Sequence, residues 1–564
     1  MLKRPKSHLL MLSLSLISVL VMLLSACGAP TQNNQQGNNG APQKGGVWTD
    51  DLYEEPSSLI TNGSSETFSN LVDTTIWAPL FYGDASGGIT PGLVATLPTA
   101  QNGGISADLK TWKFTLRSGL KWSDGQPLDA RDVDYTWKLW TNPKFTPANS
   151  TGFNLITGAD LSADNLTITF HLKSAFSPFL SIWTDGLFAP LPAHIFSSLA
   201  PDKILTSPQN LNPSVASGPF MMTESKPGAS YTVSRNPNYF QSAAGLPYLN
   251  KIVFRIVSDQ NTILKDLQSG SIDSSWFLDV TKTPAYKALT NYKLTTNPHA
   301  SNYEAIYFDF HNKTLANNVE VRKAISMAID HQAMIDTARR GQAVPLCTDH
   351  GQAYVPGYQA DAACPKFDQA GANTLLDSKG WTKGSDGVRS KNGQRLEFQY
   401  STTAKNPWRA ADELIMQADM TAIGIKLDIT NYPASTFFGP FLNGGVPGKY
   451  DIAEFENSLS YDADDYSVAA CSQIPPAGSN YSFYCNHQLD SLYTQEEQTA
   501  DPTARQAIFN QIHQIYLTDF PFITLYSPVD VAMVKNTTHN YAPGPEGASE
   551  TVGVWNWWCT NGQC

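Results

Sequence analysis

The sequence lacks the short motifs that carry the common hydrolytic, metal-dependent and nucleotide-dependent chemistries. It contains no Gly-x-Ser-x-Gly elbow for a serine nucleophile. Its ten histidines form no HExxH pair and its cysteines form no CxxC, which argues against a zinc site built by the protein. Asn443 replaces the first glycine of a phosphate-binding loop, and Ser467 replaces the turn glycine of a calcium-binding loop. These absences disfavour a serine hydrolase, a zinc enzyme and a nucleotide-dependent enzyme.

Charge is also scarce, and positive charge most of all. Charged residues make up 16% of the chain, and 38 Lys and Arg face 50 Asp and Glu, which gives a net charge of −12. Such a surface disfavours binding to nucleic acid or to anionic lipid, and it suits a soluble exported protein.

One long apolar run is present, at the N-terminus. It extends from Leu9 to about Leu24 and follows a basic start at Lys3, Arg4 and Lys6. A cationic end, an apolar core and small residues before a cleavage point predict a secretory signal over residues 1–26. The run is too short, and its flanks are wrong, for a transmembrane helix.

Cys27 ends this leader and is the candidate anchor of the protein. Leu24-Ser25-Ala26-Cys27 matches the bacterial lipobox, in which the cysteine sulfur carries a diacylglycerol. Residues 28–46 are almost all Gly, Asn, Gln and Pro, so residues 27–46 are predicted to be a lipidated cysteine followed by a flexible tether. The alternative is an ordinary secreted protein with a chance cysteine.

Six further cysteines remain, and an even number in an exported chain points to disulfides. They fall into three pairs that are local in sequence. We therefore predict the disulfides Cys347–Cys364, Cys471–Cys485 and Cys559–Cys564.

The hydrophobic pattern predicts an α/β protein. Alternating apolar residues predict strands at 111–117, 166–172, 231–235, 252–257 and 304–310. Helices are predicted after a cap at Asp129 with Asp132 at N3, from 321 to a stop at Gly341, from 408 to a stop at Gly424, and after Asp501-Pro502. About 540 mature residues exceed one hydrophobic core, so two or three domains are expected.

Several spaced segments resemble the solute-binding protein family 5 of ABC importers, which includes the oligopeptide- and dipeptide-binding proteins. The strongest is DLKTWKFTLRSGLKWSDGQPLDARDVDYTW at 108–137, which holds a Trp-Ser-Asp-Gly turn before a capped helix. Others are SGPFMMTESKPGASYTVSRNPNYF at 217–240, LKDLQSGSID at 264–273 and VRKAISMAIDHQAMI at 321–335, and the likeness extends over about 47–564.

The resemblance implies a particular fold. It is the α/β periplasmic-binding-protein fold of type 2 (cluster C), a bilobal clamshell with an extra inserted α+β domain. Domain I would comprise 47–80, 213–300 and 525–564, domain II 81–212, and domain III 301–524. The Trp-Ser-Asp-Gly signature would be structural, and the hinge crossings would lie near 298–303 and 520–527.

The resemblance also implies the function. The protein would be a monomeric substrate-binding lipoprotein with no catalytic residue, cofactor or metal, anchored at the outer face of the cytoplasmic membrane. It would deliver peptides to a permease pair driven by cytoplasmic ATPases. The implied ligand contacts are Ser64, Ser65, Glu66, Thr67, Phe68, Asn457, Ser458, Leu459, Ser460, Tyr461 and Asp462.

One departure from the family pattern leaves the ligand open. Peptide-binding relatives carry an Asp that pairs with the ligand's α-amino group, and here its position falls at Leu459 or Ser460. Asp462, Asp464 and Asp465 are candidates for that role, with a solvated acidic loop as the alternative.

Two other functions remain open. An oligosaccharide-binding protein would stack sugars on aromatic platforms, for which the candidates are Trp122, Trp276, Tyr461, Trp555, Trp557 and Trp558. A secreted glycoside hydrolase would need two facing carboxylates, for which the candidates are Glu454, Glu456 and Asp462.

Overall fold

The structure is a computed structural model that describes residues 41–64, 66–83, 88–184, 188–297, 302–346, 365–433, 436–442, 450–458, 462, 464–475, 478–542, 550–562 and 564. Residues Pro42–Cys564 form one compact unit. The predictions for Cys27 and for the pair Cys347–Cys364 lie outside the described residues. Within the described part, no helix is both long and apolar enough to cross a membrane.

Strands occur along the whole described chain. In order they are β1 (Val47–Leu52), β2 (Phe81–Gly83), β3 (Ile89–Pro91), β4 (Thr111–Thr115), β5 (Ile156–Leu161), β6 (Thr167–Leu172), β7 (Phe220–Lys226), β8 (Ser230–Arg235), β9 (Lys251–Ile256), β10 (Ser274–Ser275), β11 (Tyr292–Asn297), β12 (Asn302–Phe308), β13 (Ala343–Val344), β14 (Thr382–Lys383), β15 (Arg389–Lys391), β16 (Gln394–Arg395), β17 (Glu397–Ser401), β18 (Lys426–Ile429), β19 (Ile452–Ser458), β20 (Phe522–Pro528), β21 (Asp530–Lys535), β22 (Thr538–His539) and β23 (Trp558–Cys559).

Helices are more frequent in the second half. In order they are α1 (Thr67–Ile76), α2 (Ala130–Trp140), α3 (Ala193–Phe196), α4 (Gln260–Ser269), α5 (Thr283–Lys287), α6 (Lys313–Asn317), α7 (Val319–Ala328), α8 (His331–Thr337), α9 (Gln369–Ser378), α10 (Pro407–Ala422), α11 (Tyr466–Ala469), α12 (His487–Glu497) and α13 (Pro502–Asp519).

Two large mixed sheets organise the molecule. The seven-stranded sheet has the order β11-β21-β10-β1-β9-β8-β7, in which β1 pairs in parallel with β9 and β10 and the remaining pairs are antiparallel. The six-stranded sheet has the order β13-β20-β12-β19-β17-β18, with β12 antiparallel to both of its neighbours. A smaller antiparallel sheet, β4-β6-β5, lies within residues 81–212.

The chain passes between the two large sheets twice. β11 ends in the seven-stranded sheet at Asn297, and β12 begins in the six-stranded sheet at Asn302. β20 belongs to the six-stranded sheet and β21 to the seven-stranded one, with only Val529 between them. The second crossing is therefore at Val529 and not within 520–527, because β20 keeps its pairing as far as Pro528. The domain boundaries stay a prediction.

Local sequence signals explain most of the regular elements. The five predicted strands correspond to β4, β6, β8, β9 and β12, and α2 begins at the predicted capping box of Asp129 and Asp132. α10 ends before Gly424, and Asp501 caps α13 with Pro502 at its first position, as predicted. The helix predicted from 321 to Gly341 is instead two helices, since Asp330 accepts a bond from the Ala333 amide and caps a new start.

Trp122 anchors the Trp-Ser-Asp-Gly turn in the hydrophobic core, whereas Asp124 and Gly125 of the same turn are exposed. Trp122 is fully buried, and its indole donates to Asp132 Oδ2 at 3.2 Å. The same carboxylate accepts from the Asp129 amide at 3.1 Å, so one side chain joins the turn to the start of α2. Gly125 has φ +89°, which a residue with a side chain rarely adopts. The signature is structural.

Candidate functional site

A pocket lies where residues from the two large sheets meet, beside the crossing at Val529. We call it the inter-sheet pocket; its cavity is about 10 Å³, which is room for about one water-sized group, and it is partly open to solvent. From the seven-stranded side it is lined by Phe277, Leu278, Val280, Asp530 and Val531, from the six-stranded side by Arg339, Trp408 and Glu456, and at the crossing by Val529.

Short local structures fix the aromatic walls of this pocket. Trp408 lies in the first turn of α10, where Asn406 caps the helix by accepting bonds from the Trp408 and Arg409 amides at 3.2 Å each. Phe277 follows β10 with φ +57°, before a 3₁₀ turn at Val280–Lys282. The Phe277 and Trp408 rings meet edge to face at 6.4 Å, so the two sides are in contact.

The pocket holds two carboxyl groups and one guanidinium. Glu456 Oε1 accepts a 2.6 Å hydrogen bond from the side-chain amide of Asn302. Arg339 stacks on Trp408 and Tyr526, with its guanidinium carbon 4.9 and 5.7 Å from their ring centres. Asp530 is 6% exposed, and its Oδ2 has no hydrogen-bond partner among the described residues. Burial, aided by the nearby Glu456 charge, raises the pKa of Asp530 to about 8, and burial also raises the pKa of Glu456.

A second layer of charge lies behind Glu456. Glu304 is directly opposite Glu456 in the β12–β19 pair, and Arg409 donates to both Glu304 carboxylate oxygens at 2.9 and 3.2 Å. Glu454 and Asp412 are also buried and accept bonds from Tyr400 and Tyr526, respectively, at 2.6 and 2.5 Å. Burial raises the pKa of Asp412 to about 8 and that of Glu454 well above its usual range. Five carboxyl groups thus surround two guanidinium groups.

The predicted ligand contacts at 64–68 lie at the start of α1. Glu66 Oε2 accepts hydrogen bonds from the Ser57 backbone amide at 2.9 Å and from the Ser69 hydroxyl at 3.0 Å. The hydroxyl groups of Ser57 and Ser64 are hydrogen-bonded to each other at 2.9 Å. Thr67 begins α1, and Ser65 lies outside the described residues. Phe68 is 3% exposed and packs edge to face on Phe277 at 5.9 Å, so it supports a wall of the inter-sheet pocket.

The predicted contacts at 457–462 follow the end of β19. The side-chain amide of Asn457 donates to the Tyr303 hydroxyl at 3.2 Å. Ser458 is the last residue of β19. Leu459, Ser460 and Tyr461 lie outside the described residues. Ligand contact by any residue of this segment stays a prediction.

The acidic segment beyond them is not a solvated loop. The Asp462 side chain is 12% exposed, and both of its oxygens accept from Arg505, Oδ2 at 2.7 Å. Asp465 is 5% exposed and accepts from the Tyr303 hydroxyl at 3.2 Å. The solvated alternative is wrong because α13 brings Arg505 to a segment 43 residues earlier in the chain.

Arg505 is the centre of an acidic cluster formed by Asp462, Asp464, Glu496 and Glu497. Its Nε donates to the fully buried Glu496 at 2.7 Å. Burial, partly offset by Arg505, raises the pKa of Glu497 to about 8 and that of Asp464 to about 6. The end of α12 also contacts the 3₁₀ segment Ser177–Trp183, where the Ser177 hydroxyl donates to the Glu496 carbonyl at 3.2 Å.

Two disulfides are present in the described chain, Cys471–Cys485 and Cys559–Cys564. They are two of the three pairings predicted from the sequence. His487 Nδ1 lies 3.8 Å from Cys471 Sγ. Since that sulfur is in a disulfide, the group Cys471, Cys485 and His487 supplies no thiolate for a metal.

The aromatic residues proposed as sugar platforms are mostly core residues. Trp122, Trp276, Trp557 and Trp558 are at most 3% exposed. Trp555 is half-buried and packs on Tyr82 at 4.7 Å, and Tyr461 lies outside the described residues. The sequence interpretation missed the pocket-lining Phe277, Arg339 and Asp530, and it placed Trp408 only at the start of a predicted helix. No local pattern marks these residues as pocket-lining, because each comes from a different segment of the chain.

Comparisons with known proteins agree with this architecture. The profile of a family described as bacterial extracellular solute-binding proteins, family 5, middle, matches residues 90–479. The oligopeptide-binding protein AppA of Bacillus subtilis (strain 168) is 26% identical over 575 residues, which cover 99% of each chain.

Solved structures show the same fold. AppA of Bacillus subtilis in complex with a nonapeptide superposes with a TM-score of 0.77 at 22% identity, over 92% of this chain and 100% of that one. NikZ of Campylobacter jejuni in complex with Ni(L-His) gives a TM-score of 0.77 at 20% identity, over 91% and 99%. The predicted bilobal α/β fold class is confirmed.

Proposed function

Because this chain belongs to the bacterial extracellular solute-binding proteins of family 5, we propose that it is the substrate-binding lipoprotein of an ABC importer and that it captures peptides. The observation that carries the proposal is the inter-sheet pocket, whose walls come from both large sheets beside a sheet-to-sheet crossing at Val529. A solute held there contacts both sides at once and favours the arrangement in which they meet.

Peptides are the proposed ligand because a relative that covers 99% of the chain is an oligopeptide-binding protein. The pocket lining has the chemistry that a peptide needs, with aromatic and aliphatic walls for side chains and charged groups for termini, and we expect its cavity of about 10 Å³ to widen when the two sides separate to admit a ligand. Further contacts are proposed at 64–68, at the start of α1, and at 457–462, where an extended main chain can pair with the end of β19.

A second candidate is the same fold with another small solute. NikZ, whose structure holds Ni(L-His), shares the fold, so the fold by itself does not fix the ligand. An oligosaccharide is less favoured, because four of the six candidate platforms are buried in the core. A hydrolase is disfavoured as well, because Glu454 is buried beneath Tyr400 and Asp462 is bound to Arg505.

The proposed location is the outer face of the cytoplasmic membrane. Cys27 would carry the lipid, residues 28–46 would form the tether, and a permease pair with cytoplasmic ATPases would accept the solute. Acyl chains contribute about 0.8 kcal/mol per buried methylene, so a multiply acylated cysteine is a stable anchor. In the native host we expect the protein in the detergent phase of a Triton X-114 extract and Cys27→Ser in the aqueous phase; equal partitioning would remove the anchor from the proposal.

Ligand capture is tested by what the protein holds when purified. Mass spectrometry of small molecules released by gentle unfolding should recover intact peptides, and a synthetic peptide library should restore binding to the stripped protein. Recovery of glycans or metal complexes alone would reassign the ligand and leave the transport role in place. Recovery of a cleaved product from an added substrate would contradict the transport role itself.

A further inference from the structure

The disulfide Cys471–Cys485 lies at the surface beside an imidazole group. Cys485 is exposed, and the side chain of His487, two residues further along the chain, is 88% exposed. His487 Nδ1 is 3.8 Å from Cys471 Sγ, which is within hydrogen-bond distance of a sulfur acceptor. A small molecule can therefore reach Cys485 while the partner sulfur faces a proton donor.

Asp490 fixes this arrangement from the first turn of α12. Its Oδ1 accepts from the Cys471 backbone amide at 2.9 Å, and its Oδ2 lies 3.2 Å from His487 Nδ1. A carboxylate only accepts hydrogen bonds, so Nδ1 carries the proton that faces both the carboxylate and the sulfur. Asn486 caps α12 and so holds His487 at the first helical position. The imidazole donor and the sulfur are thus attached to one carboxyl group.

The other disulfide of the described chain lacks both features. Cys559 is fully buried, and Cys564 packs against the same hydrophobic core. The nearest histidine along the chain, His539, is stacked on Trp558 at 3.9 Å, and its Nε2 is bound to the Thr560 hydroxyl at 2.8 Å. Rates of thiol–disulfide exchange depend on access to the attacked sulfur and on how well the leaving sulfur carries its charge. The two disulfides therefore differ in the two properties that control exchange.

We propose that Cys471–Cys485 is a site of thiol–disulfide exchange with small-molecule thiols. A thiolate from solution forms a bond to Cys485 Sγ, the bond between the two cysteines breaks, and its electron pair goes to Cys471 Sγ. His487 Nδ1 donates its proton to that leaving sulfur, and the proton released by the incoming thiol returns to the ring through solvent. The incoming thiol is oxidised to a mixed disulfide on Cys485, and Cys471 is reduced to a free thiol.

Hydrogen bonds hold the loop between the two cysteines when the disulfide opens. The side-chain amide of Asn480 contacts the carbonyl oxygens of Ala469, Ala470 and Tyr484 at 2.9, 3.1 and 2.8 Å. These contacts join both ends of the loop without the sulfurs. Exchange therefore needs no unfolding of the protein, and the inference does not depend on the proposed transport function.

Peptide mapping by mass spectrometry tests this site. Wild type, His487→Ala and the control His171→Ala are incubated with reduced glutathione at pH 7, quenched with N-ethylmaleimide at intervals and digested. The control removes a histidine of another surface pair, in which His171 Nε2 lies 2.8 Å from Asp160 Oδ2 in the sheet β4-β6-β5. It is matched to His487 because both rings are exposed and both are paired with an aspartate.

The expected products identify the attacked sulfur. In wild type and in the control, glutathione should appear on Cys485 and N-ethylmaleimide on Cys471. Both labels should appear at least tenfold faster than either label on Cys559–Cys564. Equal rates for the two disulfides, or glutathione mainly on Cys471, would overturn the proposal.

His487→Ala separates proton donation from access. The substitution removes an exposed ring and leaves the disulfide at least as accessible, so a merely structural role predicts an equal or faster rate. Loss of the proton donor instead predicts that labelling of Cys485 slows at least fivefold. Imidazole added to the buffer should accelerate the variant more than wild type. A variant as fast as wild type, or one that imidazole does not accelerate, would overturn the role of His487.

Discussion

Replacement of Arg505 by methionine tests the acidic cluster that the structure builds from the predicted loop at 462–465. Arg505 donates to both oxygens of Asp462 and to Glu496, and its side chain is 17% exposed. Methionine keeps much of the length and apolar stem of the side chain but removes the guanidinium group that binds both of these carboxylates. Four acidic side chains then share a buried site.

The loss in the free energy of unfolding can be estimated in two independent ways. Removal of one partner of a buried ion pair destabilises proteins by about 3–5 kcal/mol. The cluster can instead take up a proton, and to protonate a carboxyl of pKa about 4.3 at pH 7 costs about 4 kcal/mol. Both routes give a loss of about 4 kcal/mol in the free energy of unfolding at pH 7.

The structure also predicts how the stability loss of Arg505→Met depends on pH. Arg505 lowers the raised pKa values of Asp464, Glu496 and Glu497, so its loss raises them further. A carboxyl with a raised folded-state pKa destabilises the protein as pH rises from its unfolded pKa towards its folded one. At pH 5 protonation costs about 1 kcal/mol, so most of the deficit should disappear.

Urea unfolding followed by tryptophan fluorescence at pH 5 and pH 7 measures this difference. The control is Arg395→Met, which breaks exposed pairs with Asp386 at 2.6 Å and Glu397 at 3.3 Å. Such surface pairs contribute about 0–1 kcal/mol, so this variant should differ little from wild type. Equal effects of the two variants at pH 7, or a deficit for Arg505→Met that does not change with pH, would refute the reasoning.

Three further predictions follow from other contacts. Arg409→Met leaves Glu304 buried and unpaired, so its thermal midpoint should fall by the equivalent of about 3–5 kcal/mol, and addition of Glu304→Gln should restore most of it; no rescue would contradict the pairing. Cys471→Ser with Cys485→Ser opens a loop of sequence separation 14, so urea unfolding should show a loss of about 3 kcal/mol, and reduction of the wild type, which also opens Cys559–Cys564, should cost at least as much; an unchanged midpoint in the variant would contradict the estimate. Asp129→Ala removes the cap of α2 and should cost about 1 kcal/mol in urea unfolding, whereas an unchanged midpoint would show that the cap adds nothing.

The elements that sequence reasoning predicted well are those whose signals are local. The cap at Asp129, the stop at Gly424 and the Asp501-Pro502 start each depend on bonds within one helical turn. The break between α7 and α8 depends on the same kind of bond, at Asp330, but the apolar stripe through Ile329 hid it. At that position the apolar pattern predicted one continuous helix, and the cap at Asp330 was therefore overlooked.

The charged clusters were beyond prediction because their partners are distant in sequence. From its local sequence Asp462 resembles an acid of an exposed loop, and only the folded structure brings Arg505 to it. Glu456 likewise resembles a single acid on a strand, and only the folded structure places Asp530 beside it in the pocket. Neither pairing has a spacing rule. The resemblance to a family supplied the fold, but the family's acid is absent at Leu459 and Ser460, so the charged groups of this pocket emerged only from the three-dimensional arrangement.

The central claim is that two sheet-based halves meet around a solute. Small-angle X-ray scattering of the stripped protein, before and after addition of the peptide library, measures this directly. We expect the radius of gyration to fall on addition and to return when the peptides are removed. A radius of gyration that stays constant with every added solute, at concentrations where mass spectrometry detects bound ligand, would contradict the account.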